Sequence, residues 1–144
     1  MSSLTAANAV ITLTIPGVFS TPQQLQQFAV DDVADVDTLT VAETLMGVDG
    51  FLSGGYVFNK VKYIYTLQAD SPSCFIFDTW KLTQDANTDT FPANGLLTLK
   101  SLGTKWTWTR GFLTEWKPAP DVKKIVQPRR FAIEWQSVVP QPTS

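Results

Sequence analysis

One segment interleaves aromatic rings with a cation, a pattern that could bind a ligand. Trp106, Trp108, Arg110 and Phe112 are spaced by two, so an extended strand would carry all four on one face. Rings beside a guanidinium can stack on nucleic-acid bases or sugars. We favour the alternative, a core edge or interface with Arg110 over an indole, because large aromatics serve that role more often. Five large aromatics are assigned to a core or interface: Trp80, Trp106, Trp108, Phe112 and Trp135.

Catalytic and metal-binding patterns are missing from the chain. It has no histidine and one cysteine, Cys74, which excludes a Cys–His nucleophile, a standard zinc site and an internal disulfide framework. A calcium loop starting at Asp35 fails, because Leu39 and Met46 stand at the fifth and twelfth positions, where acids are required. Paired carboxylates could perform glycosidic chemistry, but the spacing places no two acids across a cleft. We expect a protein that is not an enzyme and has no metal and no cofactor.

Charge is divided unevenly along the chain. Residues 1–59 contain six acids and no base, and residues 60–144 contain eleven bases and seven acids, so the two parts carry −6 and +4. Such asymmetry indicates a partner. Either the acidic part faces a polyanion that must not bind, or it meets the basic part of another copy. The acidic candidates are Asp31, Asp32, Asp35, Asp37 and Glu43. The basic inter-subunit candidates, which could instead form a solvated face or contact phosphates, are Lys123, Lys124, Arg129 and Arg130.

Alternating apolar and polar residues predict strands over most of the chain, and one segment predicts a helix. Predicted strands cover 8–15, 23–30, 38–46, 51–58, 61–68, 96–102, 105–117 (bent at Gly111) and 129–138. We expect a polar loop over 31–37, a turn over 47–50, and a tight hairpin whose turn is Asn59-Lys60.

The helix is predicted at about 72–86. Asp70 or Ser71 can cap it, Pro72 suits its first turn, and Ile76, Phe77 and Trp80 share a face. About seven strands and one flanking helix predict a mainly β fold, a β-sandwich or small barrel.

Size and hydropathy favour one soluble domain. The 144 residues are 44% hydrophobic, enough for a real core, and we expect a single domain with a loose tail at 140–144. No run of about 18 apolar residues exists, and the N-terminus lacks the pattern of a signal peptide. We therefore expect no membrane insertion and folding in the cytoplasm. The pI of 4.9 argues against a general nucleic-acid binder.

Three segments together resemble the tail tube proteins of tailed bacteriophages. They are the strand–turn–strand pattern of 43–58, the helix-opening segment that begins at Thr66, and residues 126–138. Across roughly 38–140 the chain is similar to that family, which is related in fold to the tubes of type VI secretion systems.

The resemblance implies a β-sandwich subunit that forms hexameric rings, stacked head to tail into a cylinder through which DNA passes without specific binding. It implies a virion location, assembly in the host cytoplasm, and sheath, baseplate and terminator proteins as possible partners. The acidic candidates would then line the lumen or lie between rings. The alternative function is a monomeric glycan- or receptor-binding module of a baseplate or tail tip, with Trp106, Trp108 and Phe112 as its platform.

Overall fold

The computed structural model describes residues 9–26, 28, 34–36, 38–99 and 102–142. Those residues contain nine strands and one helix, so the expected mainly β fold with one flanking helix is confirmed, with nine strands in place of about seven. The elements are β1 Ala9–Ile15, β2 Phe19–Gln24, β3 Ala34–Val36, β4 Ala42–Met46, β5 Leu52–Tyr56, β6 Val61–Leu67, α1 Cys74–Asn87, β7 Ala93–Leu99, β8 Thr104–Trp116 and β9 Arg129–Pro142.

Seven strands form one antiparallel sheet in the order β2-β1-β7-β8-β9-β6-β3, and β4 and β5 form a separate hairpin. The longest ladder joins β8 and β9, from Thr104 opposite Pro142 to Trp116 opposite Phe131. Three of the six pairings, β1–β7, β6–β9 and β3–β6, join strands that do not follow each other in the chain, so the sheet holds together distant segments.

The sheet curls until its two sides approach each other. Gln24 pairs with Thr12 of β1, and Phe28, four residues later, forms a bridge with Leu67 of β6. Four residues span at most about 14 Å, so β1 and β6 lie close although three strands, β7, β8 and β9, lie between them in the sheet. Leu25, on this crossing, is buried in the core. The result is a partly closed barrel.

Helix α1 packs over this curled sheet through the predicted face, since Ile76, Phe77 and Trp80 are buried. Phe77 stacks on Phe131 of β9 with ring centroids 4.3 Å apart. The core is built from alternate residues of the sheet and the inner helix face: Ile11, Leu13, Ile15, Leu25, Val61, Tyr63, Tyr65, Leu67, Cys74, Ile76, Phe77, Trp80, Ala93, Trp108, Phe131, Ile133 and Trp135.

Two glycines make room for two indoles in the middle of the sheet. A Cβ on Gly95 would lie 2.7 Å from the ring of Trp108, and one on Gly111 would lie 2.4 Å from the ring of Trp135. Because each glycine has only a hydrogen where a Cβ would be, Trp108 and Trp135 can stack, with ring centroids 5.3 Å apart. Close contact of backbone and ring therefore requires glycine at both positions.

The helix begins two residues later than expected, and its cap differs. The N-cap is Ser73, without a side-chain capping bond. Its hydroxyl instead accepts a hydrogen bond from the N–H of Gln26 (2.8 Å), while the Ser71 hydroxyl donates to the carbonyl of Gln26 (2.5 Å). The two serines therefore provide hydrogen-bond partners for the backbone of Gln26, in the segment that crosses between the sheet edges. Pro72 lies before the helix.

The predicted hairpin with an Asn59-Lys60 turn is wrong. Strand β5 pairs with β4, and β6 pairs with β9 and β3. The turn predicted over 47–50 is confirmed. Its glycine explains why the hairpin forms there and not at Asn59-Lys60. Gly50 adopts a φ of +85°, which glycine alone accepts readily, whereas Asn59-Lys60 has no glycine.

Three further predictions need correction. The strand predicted at 23–30 ends at Gln24, because the following residues cross between sheet edges; residues 27, 29 and 30 lie outside the described residues. Ala34–Val36, expected in a polar loop, pairs with β6. Strand β9 continues to Pro142, since Trp106 pairs with Pro140, so residues 140–142 are not a loose tail.

Candidate functional site

The β4–β5 hairpin is a regular structure that the rest of the described chain does not bury. Its pairs run from Ala42 opposite Tyr56 to Met46 opposite Leu52. The N–H of Gly47 donates to the carbonyl of Phe51 (2.9 Å), and Asp49 Oδ1 accepts from the N–H of Phe51 (3.1 Å). These bonds fix the turn, so the hairpin presents an ordered surface.

Both faces of the hairpin carry exposed apolar side chains. Directly opposed residues share a face, so one face has Met46, Leu52 and Tyr56. The other face has Leu45 beside Glu43, and Leu45 is 75% exposed. All ten residues of β4 and β5 are exposed. A two-stranded hairpin is at best marginally stable alone in water, and an exposed apolar patch of this kind is typical of an interaction surface.

The two arms of the hairpin are joined by hydrogen bonds at its base. Asn59 Nδ2 donates to the carbonyl of Thr40 (2.5 Å), and the N–H of Val57 donates to the carbonyl of Val41 (3.4 Å). Tyr56 and Phe58 make an edge-to-face contact at 4.8 Å while both remain largely exposed. The apolar surface thus continues from the strands into the neck of the hairpin.

The acidic candidates are distributed as follows. Glu43 lies on the hairpin, and Asp35 lies on the short strand β3, opposite Ile64 of β6; both are exposed. Asp31, Asp32 and Asp37 lie outside the described residues.

The basic candidates divide into two groups. Lys123 and Lys124 are exposed in the loop between β8 and β9, and Arg130 is exposed on β9. Arg129 is different, because its side chain is only 7% exposed and binds Asp78 of α1 within the same chain (Nη2–Oδ1, 2.7 Å). The guanidinium of Arg129 is therefore engaged within its own chain, which leaves little of it to contact another copy.

The Asp78–Arg129 pair joins the helix to the sheet. Arg129 Nη1 donates to Asp78 Oδ2 (3.1 Å), and Trp116 Nε1 donates to Asp78 Oδ1 (2.9 Å). Arg129 also donates to the carbonyl of Lys117 (2.7 Å), which fixes the start of the β8–β9 loop. Burial acts to raise the pKa of Asp78, but the hydrogen bonds from Arg129 and Trp116, with the Arg129 charge, lower it overall.

The aromatic platform does not exist as a single exposed face. Trp108 is fully buried and stacks on Trp135, as the core assignment expected. Phe112 pairs with Glu134, on the side opposite Trp135. The faces change at Arg110, which has a positive φ of 46° and lies 5.3 Å over the Phe112 ring. Trp80 and Trp135 are fully buried as expected, and Trp106 and Phe112 are half-buried.

A candidate metal site and a membrane-spanning helix are both missing from the described residues. No group of three or more potential metal ligands occurs among them. In the same part of the chain, no helix has both the length and the hydrophobicity to cross a membrane.

Sequence reasoning missed the exposed apolar surface of the hairpin. A signal was available: residues 38–46 and 51–58 have apolar residues at both parities, so neither strand has a fully polar face. That pattern is also typical of a strand buried on both sides, and only the structure distinguishes the two cases.

Comparisons with known proteins give a family and a fold. A family model described as tail fiber protein gp32 matches residues 2–139. No curated protein matches the chain in sequence. A solved chain of the anti-feeding prophage (AFP) baseplate has a TM-score of 0.60 at 15% identity, over 100% of this chain and 99% of that chain.

Two further solved structures have the same fold. A chain of the PVC sheath–tube complex, from an extracellular contractile injection system, has a TM-score of 0.61 at 10% identity, over 92% of this chain and 88% of that chain. A chain of the AFP tube terminating cap has a TM-score of 0.61 at 8% identity, over 99% and 93%. At these identities the likeness concerns the fold.

Proposed function

We propose, from the premise that this chain belongs to the tail fiber protein gp32 family, that it is the subunit of a phage tail tube. The family and the fold support the coarser statement that it is a structural component of a phage tail or a related particle. In the finer proposal, copies form hexameric rings that stack head to tail around a channel for DNA, in the virion. The protein acts by assembly and not as an enzyme.

The unburied hairpin is the observation that carries this proposal. Residues such as Leu45, Tyr56 and Phe58, the last 89% exposed, would be left in water by a solitary molecule. Burying them against another copy stabilises the assembly by about 1.5–3 kcal/mol for each fully covered large side chain, before the costs of association. A hairpin that contacts a different surface of the next copy forms a heterologous interface, which continues into rings and tubes.

The comparisons support a place in such a particle and include several positions within it. One similar chain belongs to a sheath–tube complex, one to a 6-fold symmetrised baseplate and one to a tube terminating cap. The chain's own net charge of −2 suits a channel that DNA must leave, because a strongly basic wall would hold phosphates. In this proposal the exposed Asp35 faces the channel or the next ring.

Electron microscopy of the purified protein tests the proposal. We expect wild-type protein to form rings or tubes of uniform bore, and a variant with Met46→Ser, Leu52→Ser and Tyr56→Ser to remain monomeric with an unchanged circular dichroism spectrum. The matched control removes exposed apolar groups from the helix, Phe75→Ser with Leu82→Ser, and should still assemble.

Two outcomes contradict the proposal. One is wild-type protein that sediments as a monomer at high concentration in several salts. The other is assembly of the hairpin variant at the same concentration as the wild type.

A further inference from the structure

The loop between β8 and β9 presents a second exposed apolar surface, and this one is basic. Val122 is 81% exposed and Ile125 is 75% exposed, with Lys123 and Lys124 between them. We call residues 121–127 the basic loop. Two large aliphatic side chains beside two ammonium groups fit a partner that is both apolar and acidic.

The basic loop is held in one shape by its own bonds. The N–H of Gln127 donates to the carbonyl of Asp121 (2.9 Å), and Val122 forms a bridge with Val126. The side chain of Gln127 also donates to the carbonyl of Ile125 (2.8 Å). Its tip therefore projects as a closed turn, and little order has to be gained on binding.

The base of the loop is fixed to the barrel. Lys117 and Asp121 form an ion pair (2.9 Å), and the buried Arg129 donates to the carbonyls of Lys117 and Pro118. The loop therefore keeps a defined position on the molecule.

One face of the hairpin has the complementary chemistry. Val41, Glu43 and Leu45 alternate along one side of the chain into β4, and all three are exposed. Asp49 lies at the tip of the turn, and no Lys or Arg occurs before Lys60. An acid between two aliphatic side chains matches two lysines between Val122 and Ile125.

We infer that the basic loop of one copy binds the Val41–Leu45 face of the hairpin in the next copy. This inference rests on the proposed function and specifies which two surfaces meet. The contact is head to tail, because the two surfaces differ, and it leaves each end of a chain of copies able to accept another. The opposite hairpin face, with Met46, Leu52 and Tyr56, remains available to a third surface.

A second copy fits the loop better than a nucleic acid does. Phosphate binding would use the lysines but leave Val122 and Ile125 in water, whereas the hairpin provides a carboxylate and aliphatic side chains together. The charge pattern also opposes self-pairing of two loops, because like charges would face each other.

Charge exchange between the two surfaces tests the inference. The loop variant is Lys123→Glu with Lys124→Glu, the hairpin variant is Glu43→Lys, which leaves the Asp49 turn bond in place, and a third variant combines all three substitutions. The control, Lys60→Glu with Lys105→Glu, makes the same charge change outside the loop. The critical concentration for assembly is measured by light scattering and sedimentation.

We expect each exchange alone to raise the critical concentration about tenfold or more, and the combined variant to return to within a few-fold of the wild type. The control should change it little. An equivalent second test is Leu45→Cys with Ile125→Cys, which should give a ladder of disulfide-linked oligomers on oxidation, whereas Leu45→Cys with Leu82→Cys should not.

The possible failures are distinguishable. Wild-type protein that never assembles overturns both the proposed function and this inference. Wild-type tubes whose formation is insensitive to the loop exchange, or not restored in the combined variant, overturn only the pairing of loop and hairpin.

Discussion

The Asp78–Arg129 pair gives the sharpest test of how the helix is held on the sheet. Asp78 accepts hydrogen bonds from both terminal nitrogens of Arg129 and from Trp116 Nε1. The Asp78→Ala substitution would remove the carboxylate that pairs with the Arg129 guanidinium. The Arg129 side chain is only 7% exposed, so water cannot readily replace that partner. We therefore expect a loss of stability well above that of a surface ion pair.

The magnitude follows from the burial of the two partners. Removing one partner of a buried ion pair costs about 3–5 kcal/mol. The Asp78 side chain is 34% exposed, so water can reach the vacated site, and we expect about 3 kcal/mol. At roughly 2–4 °C per kcal/mol for a chain of this size, the Tm should fall by about 6–12 °C.

Urea denaturation and thermal melting of the monomeric protein measure the effect. Asp85→Ala is the matched control, because Asp85 pairs with Lys81 on the exposed side of the same helix and its loss should cost less than about 1 kcal/mol. Adding Arg129→Met to Asp78→Ala should recover part of the loss, since no buried charge then remains. A cost below 1 kcal/mol for Asp78→Ala, equal to that of Asp85→Ala, would refute this description of the pair.

The pH dependence of the same pair has a definite sign. Burial opposes ionisation of Asp78, but the hydrogen bonds from Arg129 and Trp116 place its folded-state pKa below the ordinary value of 3.8. The stabilisation is therefore fully present above that value and is lost as the pH falls through the folded pKa. As the pH falls below 3.8, the free energies of unfolding of the wild type and of Asp78→Ala should therefore become more similar.

Two further predictions concern the core. Gly111→Ala should cost about 1–3 kcal/mol in chemical denaturation, because its Cβ would lie 2.4 Å from the Trp135 ring, whereas Gly54→Ala, with nothing within 4 Å, should be nearly neutral; equal effects would contradict the close contact. Burial raises the pKa of Tyr65 well above 10.0, so stability should decline as the pH rises past 10, by up to about 1.4 kcal/mol per pH unit for this one group. Tyr65→Phe should weaken that decline while costing stability at pH 8, because Trp135 Nε1 loses its acceptor (3.1 Å); an unchanged alkaline slope would contradict the assignment.

Local patterns predicted the helix and most strands because each depends on neighbouring residues. The spacing of Ile76, Phe77 and Trp80 identified the buried face of α1, and alternation identified Phe131, Ile133 and Trp135 as the inner face of β9. Strand pairing was harder to predict, because several alternating segments could pair with one another. Only the turn residues between them distinguish the alternatives.

Other features depend on contacts that no local pattern contains. Asp78 and Arg129 are 51 residues apart, so no local pattern joins them, and the charge pattern places Arg129 at an interface instead. The change of faces in β8 depends on a positive φ at Arg110, which is uncommon for any residue but glycine. The exposure of the hairpin could not be predicted from the sequence, because its apolar residues are equally typical of a buried strand.

The stacked indoles of Trp108 and Trp135 give the protein an intrinsic optical signal. Two such chromophores 5.3 Å apart couple electronically, and the resulting exciton band in circular dichroism depends on their mutual orientation. Opening of the barrel would abolish that band. The hairpin and the basic loop contain no tryptophan, so contacts made there would leave the band intact, and a single spectroscopic reading distinguishes a chain that has unfolded from one that has only failed to associate.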